Sequence, residues 1–147
     1  MPGVRRLTAL FLENFMPDGD EPPFVTMSAD YDYLAPDGSE IRLLAEGAGG
    51  GLAHCKLPTG GVSKPVAHKT VEEIWYCVSG RGEVWRRQGE TERVVGVRGG
   101  TSLTIPRGAS FQFRNTGEDP LCFIIATIPR WPGAEEAEPV QGRWGTE

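Results

Sequence analysis

Side chains that carry a proton near neutral pH are scarce in this chain, which has 2 histidines and 3 cysteines in 147 residues. His68 stands five residues before Glu73, at the start of the alternating run EEIWYCVS. In that run Glu73, Trp75 and Cys77 share one face of a strand. Val66 keeps the phase of His68 just upstream, and Phe111 and Phe113 alternate in the same way within SFQFRN. Brought together, these residues make an apolar, aromatic pocket holding one imidazole and one carboxylate, the composition of a small-molecule site. Desolvation would raise the Glu73 pKa, and a protonated His68 within reach would oppose that rise. Such a pair can move protons without a metal, in enolisation, epimerisation or ring closure. The alternative is that the two groups hydrogen-bond each other and merely close one end of the fold.

Few other residues can join them. On GLAHCKL, Ala53, Cys55 and Leu57 form the apolar row, so His54 is expected on the outward row with Leu52 and Lys56. Gln112 falls out of phase with Phe111 and Phe113, and Glu72 points opposite to Glu73. Cys77 is the thiol in phase with the pocket, and its alternative reading is a buried inert thiol. Cys55, Cys77 and Cys122 are far apart, odd in number and set in apolar runs. They read as reduced core residues, which favours the cytosol over an oxidising compartment. Arg81, Arg86, Arg87 and Arg93 cluster near turns, but Glu83, Glu90 and Glu92 are interleaved with them. A solvated, self-paired surface is expected there.

The elements that must position these residues are strands. Gly 20 and Pro 12 make up about 22% of the chain, somewhat above ordinary usage. Short β-type runs alternate with turn clusters over Glu40–Ala45, Gly51–Leu57, Ile74–Val78, Glu83–Arg87, Arg93–Val97, Thr101–Ile105, Ser110–Arg114 and Leu121–Ile128. That spacing predicts an all-β sandwich or barrel. SGRG, between EIWYCV and EVWRR, carries a hairpin signal. Before the strands, Arg5–Phe15 is the one stretch that could be helical, stopped by Pro17. After them, PRWPGAEEAEPVQGRWGTE reads as a tail lying on the barrel through Trp131 and Trp144. A net charge of -5 argues against nucleic acid as partner. No run reaches the ~20 apolar residues of a membrane span.

Two segments resemble the motifs of the cupins. In GGVSKPVAHKTVEEIWYCVSG the family spacing is met by Gly60, His68, Glu73 and Gly80, and in GTSLTIPRGASFQFRN by Gly100, Pro106, Gly108 and Asn115. The resemblance implies a double-stranded β-helix, a jelly-roll barrel, over residues 40–129. Residues 1–39 would be an N-terminal extension making a dimer contact, and residues 130–147 an irregular tail packed on the barrel. It also implies a metal set of three histidines and one glutamate, but Val66 and Phe111 stand where two of the histidines belong. His68 and Glu73 alone would leave an ion mostly hydrated and weakly held.

The chain is therefore read as a small-molecule-binding cupin without a cofactor. It is a candidate metal-independent isomerase, epimerase or cyclase with His68 and Glu73 as the catalytic pair. Val66, Trp75, Cys77, Phe111 and Phe113 would line the ligand. One alternative is a non-catalytic binding or sensing module. Another is a divalent-metal enzyme, an oxygenase or sugar isomerase as the family often has, with zinc, nickel, iron or manganese on His68 and Glu73. Ile74, Tyr76 and Val78 make the same strand apolar on its other face too, so a homodimer is expected, with Leu10, Phe11, Leu12 and Phe15 as the rival cover.

Overall fold

The computed structural model describes residues 21–146. Eleven strands form among them: β1 Tyr33–Leu34, β2 Glu40–Glu46, β3 Gly51–Leu57, β4 Val66–His68, β5 Glu72–Ser79, β6 Arg81–Gln88, β7 Thr91–Arg98, β8 Ser102–Ile105, β9 Ser110–Asn115, β10 Leu121–Ile128 and β11 Ala137–Pro139. A single 3-10 turn, Ala134–Glu136, is the only helical element among the described residues. The strands make two antiparallel sheets, ordered β1-β2-β3-β10-β5-β8 and β11-β4-β9-β6-β7. This is the jelly-roll arrangement, with two sheets facing each other over one core. The expected helical stretch Arg5–Phe15, and with it Leu10, Phe11, Leu12 and Phe15, lies outside the described residues.

Period-2 alternation builds the core. On β5, Glu73, Trp75 and Cys77 are buried while Glu72, Ile74, Tyr76 and Val78 are exposed. β10 lies beside it, and its inward row Phe123, Ile125 and Thr127 faces Cys77, Trp75 and Glu73 in register. Trp75 meets Phe111, Phe113 and Phe123 with ring centroids 5.5, 5.1 and 4.9 Å apart, two edge-on and one tilted. Edge-to-face contacts of this kind add to the area term that holds the sheets together.

The structure corrects the hairpin expected at SGRG. β5 pairs with β10 and β8, whereas β6 pairs with β7 and β9. The two strands therefore lie in different sheets, and Gly80 is a corner between them. Its φ is 89°, and a Cβ there would stand 2.4 Å from the Pro120 carbonyl oxygen. A glycine is needed for the corner as it would be for a tight turn, so the local signal is the same in both cases.

Three short strands were not expected. β1 adds an edge strand within the stretch read as an extension, and β11 adds one within the tail. Pro139 ends β11, an edge position that a residue without an N–H can occupy. Downstream, Gln112 fastens the tail: its Nε2 donates to the Ser63 and Trp144 carbonyls, and its Oε1 accepts from the Arg143 and Trp144 N–H groups. Trp144 lies under the Arg114 guanidinium at 4.4 Å.

Candidate functional site

His68 ends β4, the three-residue strand held between β9 and β11. The Gly108 N–H donates to the His68 carbonyl at 2.9 Å, and Gly108 has φ 83°. A loop glycine of the second motif thus fixes the backbone that carries the imidazole. Glu73 enters from the other sheet, opposite Thr127 and Ile105. The two side chains meet at one end of the barrel, in a cavity of about 50 Å³.

Their geometry excludes a direct hydrogen bond. His68 Nδ1 stands 3.9 Å from Glu73 Oε1, beyond hydrogen-bonding range. Glu73 instead accepts from the Trp75 indole N–H at 2.9 Å. His68 Nδ1 is buried without a hydrogen-bond partner. A buried polar atom left in that state costs about 1–3 kcal/mol, so this nitrogen marks a place where a water or a ligand atom belongs. The ring itself is clamped edge-on by Phe111 and Trp131, at 5.1 and 5.0 Å.

Burial sets the charge of both groups. Desolvation pushes the Glu73 carboxyl up to about 8; the Trp75 hydrogen bond opposes this, and the charges of Asp37 and Glu136 add to it. Desolvation pushes the His68 imidazole down to about 4, against the pull of Glu136. At neutral pH the pair is a carboxylic acid beside a neutral imidazole. The expected opposition of a protonated His68 does not arise, because the imidazole is not charged.

Of the residues expected around the ligand, Val66, Trp75 and Phe111 line this cavity. Cys77 and Phe113 do not line it: both are fully buried in the hydrophobic core. Phase put them on the inward face, but the barrel is filled at their depth. His54 lies outside the cavity wall, and Gln112 is buried under the tail instead.

Tyr33, Asp37, Ser39, Cys55 and Trp131 are also among the lining residues and were not foreseen there. Asp37 accepts from the Ser39 N–H and hydroxyl at 2.9 and 2.6 Å. Desolvation raises its pKa, and those hydrogen bonds hold it down. Burial drives the Cys55 thiol well above its ordinary value, so it is an unreactive wall residue. Glu136 sits behind His68 and accepts from the Thr70 N–H and hydroxyl. Desolvation raises Glu136, but the Thr70 and Val71 hydrogen bonds outweigh it and leave its pKa lowered. The isolated Trp131 was the one sequence signal available for this set. Tyr33 opens a two-residue strand with no readable period, and Asp37 lies in the turn after it.

The residues present do not fit the metal set that the cupin motifs imply. Val66 and Phe111 face each other in register across β4 and β9, and both line the cavity of His68 with hydrocarbon, the Phe111 ring edge-on to the imidazole. Among the described residues, no three His, Cys, Asp or Glu side chains are grouped to hold an ion. Among the described residues, the wall also contains no Lys or Arg to balance an anionic ligand.

Comparison with known proteins agrees with the architecture. A family model described as Cupin domain matches residues 53–127. An uncharacterized protein of Methanocaldococcus jannaschii is 32% identical over 114 residues, covering 70% of this chain and 86% of that protein. A predicted oxalate decarboxylase of Thermotoga maritima superposes with TM-score 0.53 at 24% identity, covering 62% of this chain and 80% of the other. A recombinant oxalate oxidase in complex with glycolate superposes with TM-score 0.65 at 22% identity, covering 80% and 64%. At those identities the solved structures speak for the shared fold alone. Among the described residues no helix is long and apolar enough to cross a membrane.

Proposed function

This chain belongs to the cupin-domain family, and from that premise we propose that its barrel cavity carries out metal-independent proton transfer on a compact, uncharged small molecule. One observation supports this above the others. A buried carboxyl and a buried imidazole stand 3.9 Å apart, each kept neutral by its surroundings. Glu73 in its acid form can give a proton to a substrate carbonyl or hydroxyl oxygen. His68, whose Nδ1 lacks a partner, can accept a proton from the neighbouring carbon or oxygen. The bound substrate would lie against both groups, with one of its atoms satisfying that nitrogen. Reactions of this form are keto–enol isomerisation, epimerisation and ring closure, and each balances with a proton taken at one atom and returned at another.

The rest of the cavity supports the substrate class. Its small volume and the covering Trp131 ring favour a molecule of few heavy atoms. Asp37, with no Lys or Arg among the described lining residues to balance it, disfavours a carboxylate or dicarboxylate substrate. Trp75, Phe111 and Trp131 offer flat apolar surface to a planar enol or ring. We also propose a homodimer, because Ile74, Tyr76 and Val78 are 48%, 51% and 49% exposed on one strand of the outer sheet face.

The test is carbon-bound hydrogen exchange in deuterated water, with the protein stripped by chelator. Compact neutral hydroxyketones and lactones serve as probes, followed by proton NMR. Exchange should persist without metal, and Glu73→Gln should slow it by about 10²–10⁴-fold while binding is kept. Binding kept by wild type with no exchange on any probe would favour a binding module instead. Exchange that needs added metal would overturn the proposal.

A further inference from the structure

Cross-strand register sets Arg86 directly opposite Arg93 in the β6–β7 hairpin, on the same side as the pair Val84 and Val95. Like charges directly opposite in an antiparallel ladder repel at a Cβ separation of about 4.5–5.5 Å. Two of the three glutamates expected to neutralise this cluster are engaged elsewhere. Glu83 pairs with Arg114 on the other face of the sheet at 2.5 Å. Glu92 accepts from the Trp85 indole at 2.6 Å and lies 3.6 Å from Arg143. Among the described residues, neither Arg86 nor Arg93 has a carboxylate oxygen within ion-pair distance. The register sets Arg87 opposite Glu92, as a self-paired surface would have it, but leaves Arg86 and Arg93 facing each other.

The two arginines flank a groove of about 240 Å³ at the seam between the sheets. Val84, Val95 and Leu103 form its apolar floor, and among the described residues no acidic side chain lines it. Arg86 is partly ordered across the seam, its Nη1 donating to the Thr104 carbonyl at 2.6 Å. At the far side stand the Thr101 and Ser102 hydroxyls. The Thr101 hydroxyl accepts from the Arg98 N–H at 3.1 Å and keeps its own proton to donate. A second opposed pair, Arg81 with Arg98, differs in having Glu83 in its groove.

We propose that this seam is a second binding site, separate from the barrel cavity, for a small organic carboxylate with a short apolar body. The carboxylate would lie between the two guanidinium groups, where planar forks suit its two oxygens and relieve the repulsion of Arg86 and Arg93. The hydroxyls of Thr101 and Ser102 would add donors, and the apolar body would cover Val84, Val95 and Leu103. The site stands on its own observations and does not depend on the chemistry of Glu73 and His68.

Calorimetric titration of the full chain with benzoate, at low and constant ionic strength, tests it against benzamide and inorganic phosphate. Benzoate should bind saturably and raise the melting temperature, and benzamide should do neither. Arg93→Gln should weaken benzoate by on the order of tenfold. Arg93→Glu supplies a carboxylate within the chain, so it should abolish benzoate binding and raise the melting temperature of the free protein. Absence of benzoate binding to wild type overturns the proposal. Equal binding of benzamide, or unchanged benzoate affinity in both variants, also overturns it. An equal response to phosphate would show a general counterion surface and reject the apolar floor as part of a site.

Discussion

Replacing Val66 and Phe111 together by histidine asks whether hydrocarbon is what denies this barrel a metal. The two residues are register partners across β4 and β9, so their replacements would point to one face. His68 lies two residues along the same strand, and Glu73 stands 3.9 Å from it. Three imidazoles and one carboxylate would then converge, a set suited to zinc, nickel or iron. Without metal the variant should be less stable, because two buried imidazoles lack partners at about 1–3 kcal/mol each. For 147 residues a combined loss of roughly 2–6 kcal/mol lowers Tm by roughly 5–20 °C. Metal at a hundred times its Kd returns about 2.7 kcal/mol by binding only the folded state. Scanning calorimetry of wild type and variant, with micromolar zinc or nickel and with chelator, reads all four values. The variant should recover much of its Tm with metal, and wild type should not respond. A wild type that gains several degrees would refute the ligand-count reasoning; a folded variant that ignores metal would refute the convergence of the four side chains.

Glu73→Gln keeps an acceptor for the Trp75 indole and removes the titration. A carboxyl whose folded pKa rises from 4.5 to about 8 contributes stability that is complete below pH 4.5 and is lost as pH rises through 8. Urea unfolding should therefore show wild type losing ground to the variant between pH 4.5 and 8, up to a bound on the order of 5 kcal/mol at ~1.4 kcal/mol per pH unit; a pH-independent difference would contradict it. Gly80→Ala should cost about 1–2 kcal/mol for its positive φ and more for the Cβ that would lie 2.4 Å from the Pro120 carbonyl, measured as a lower denaturation midpoint. Light scattering should return about twice 16.0 kDa, and Ile74→Lys with Tyr76→Lys should return a monomer.

The strands with five or more residues were legible because alternation repeats along them. All eight expected runs are strands, most lengthened by a residue or more at an end. β1, β4 and β11 were hidden, since two or three residues cannot display a period and depend on a neighbour for pairing. Phase put Glu73, Trp75, Cys77, Phe111 and Phe113 on the inward face, and all five are buried there. It could not tell that Cys77 and Phe113 lie off the cavity wall, as the inert-thiol reading of Cys77 has it. Phase tells inward from outward, but depth along the barrel decides whether inward means a cavity or a filled core. Tyr33, Asp37 and Trp131 reach the site from a two-residue strand, a turn and a tail, where only the fold brings distant residues together. The pairing of Glu83 with Arg114 and of Glu92 with Trp85 was likewise invisible to a reading of neighbours along the chain. Interleaved charges suggested local pairing, and sheet register sent them to other partners.

The proposed chemistry requires an acid and a base that are both uncharged at neutral pH. Carbon-13 and nitrogen-15 NMR of the Glu73 carboxyl and the His68 ring, followed from pH 4 to 9, reads both protonation states in the intact protein. Signals can be assigned with Glu73→Gln and His68→Gln. The carboxyl carbon should stay at its protonated position through pH 7 and move near pH 8, while the imidazole stays neutral until pH falls toward 4. A carboxylate and an imidazolium coexisting at pH 6 to 7 would contradict the account, because the pair would then be a buried ion pair with the acid and base roles assigned to Glu73 and His68 reversed.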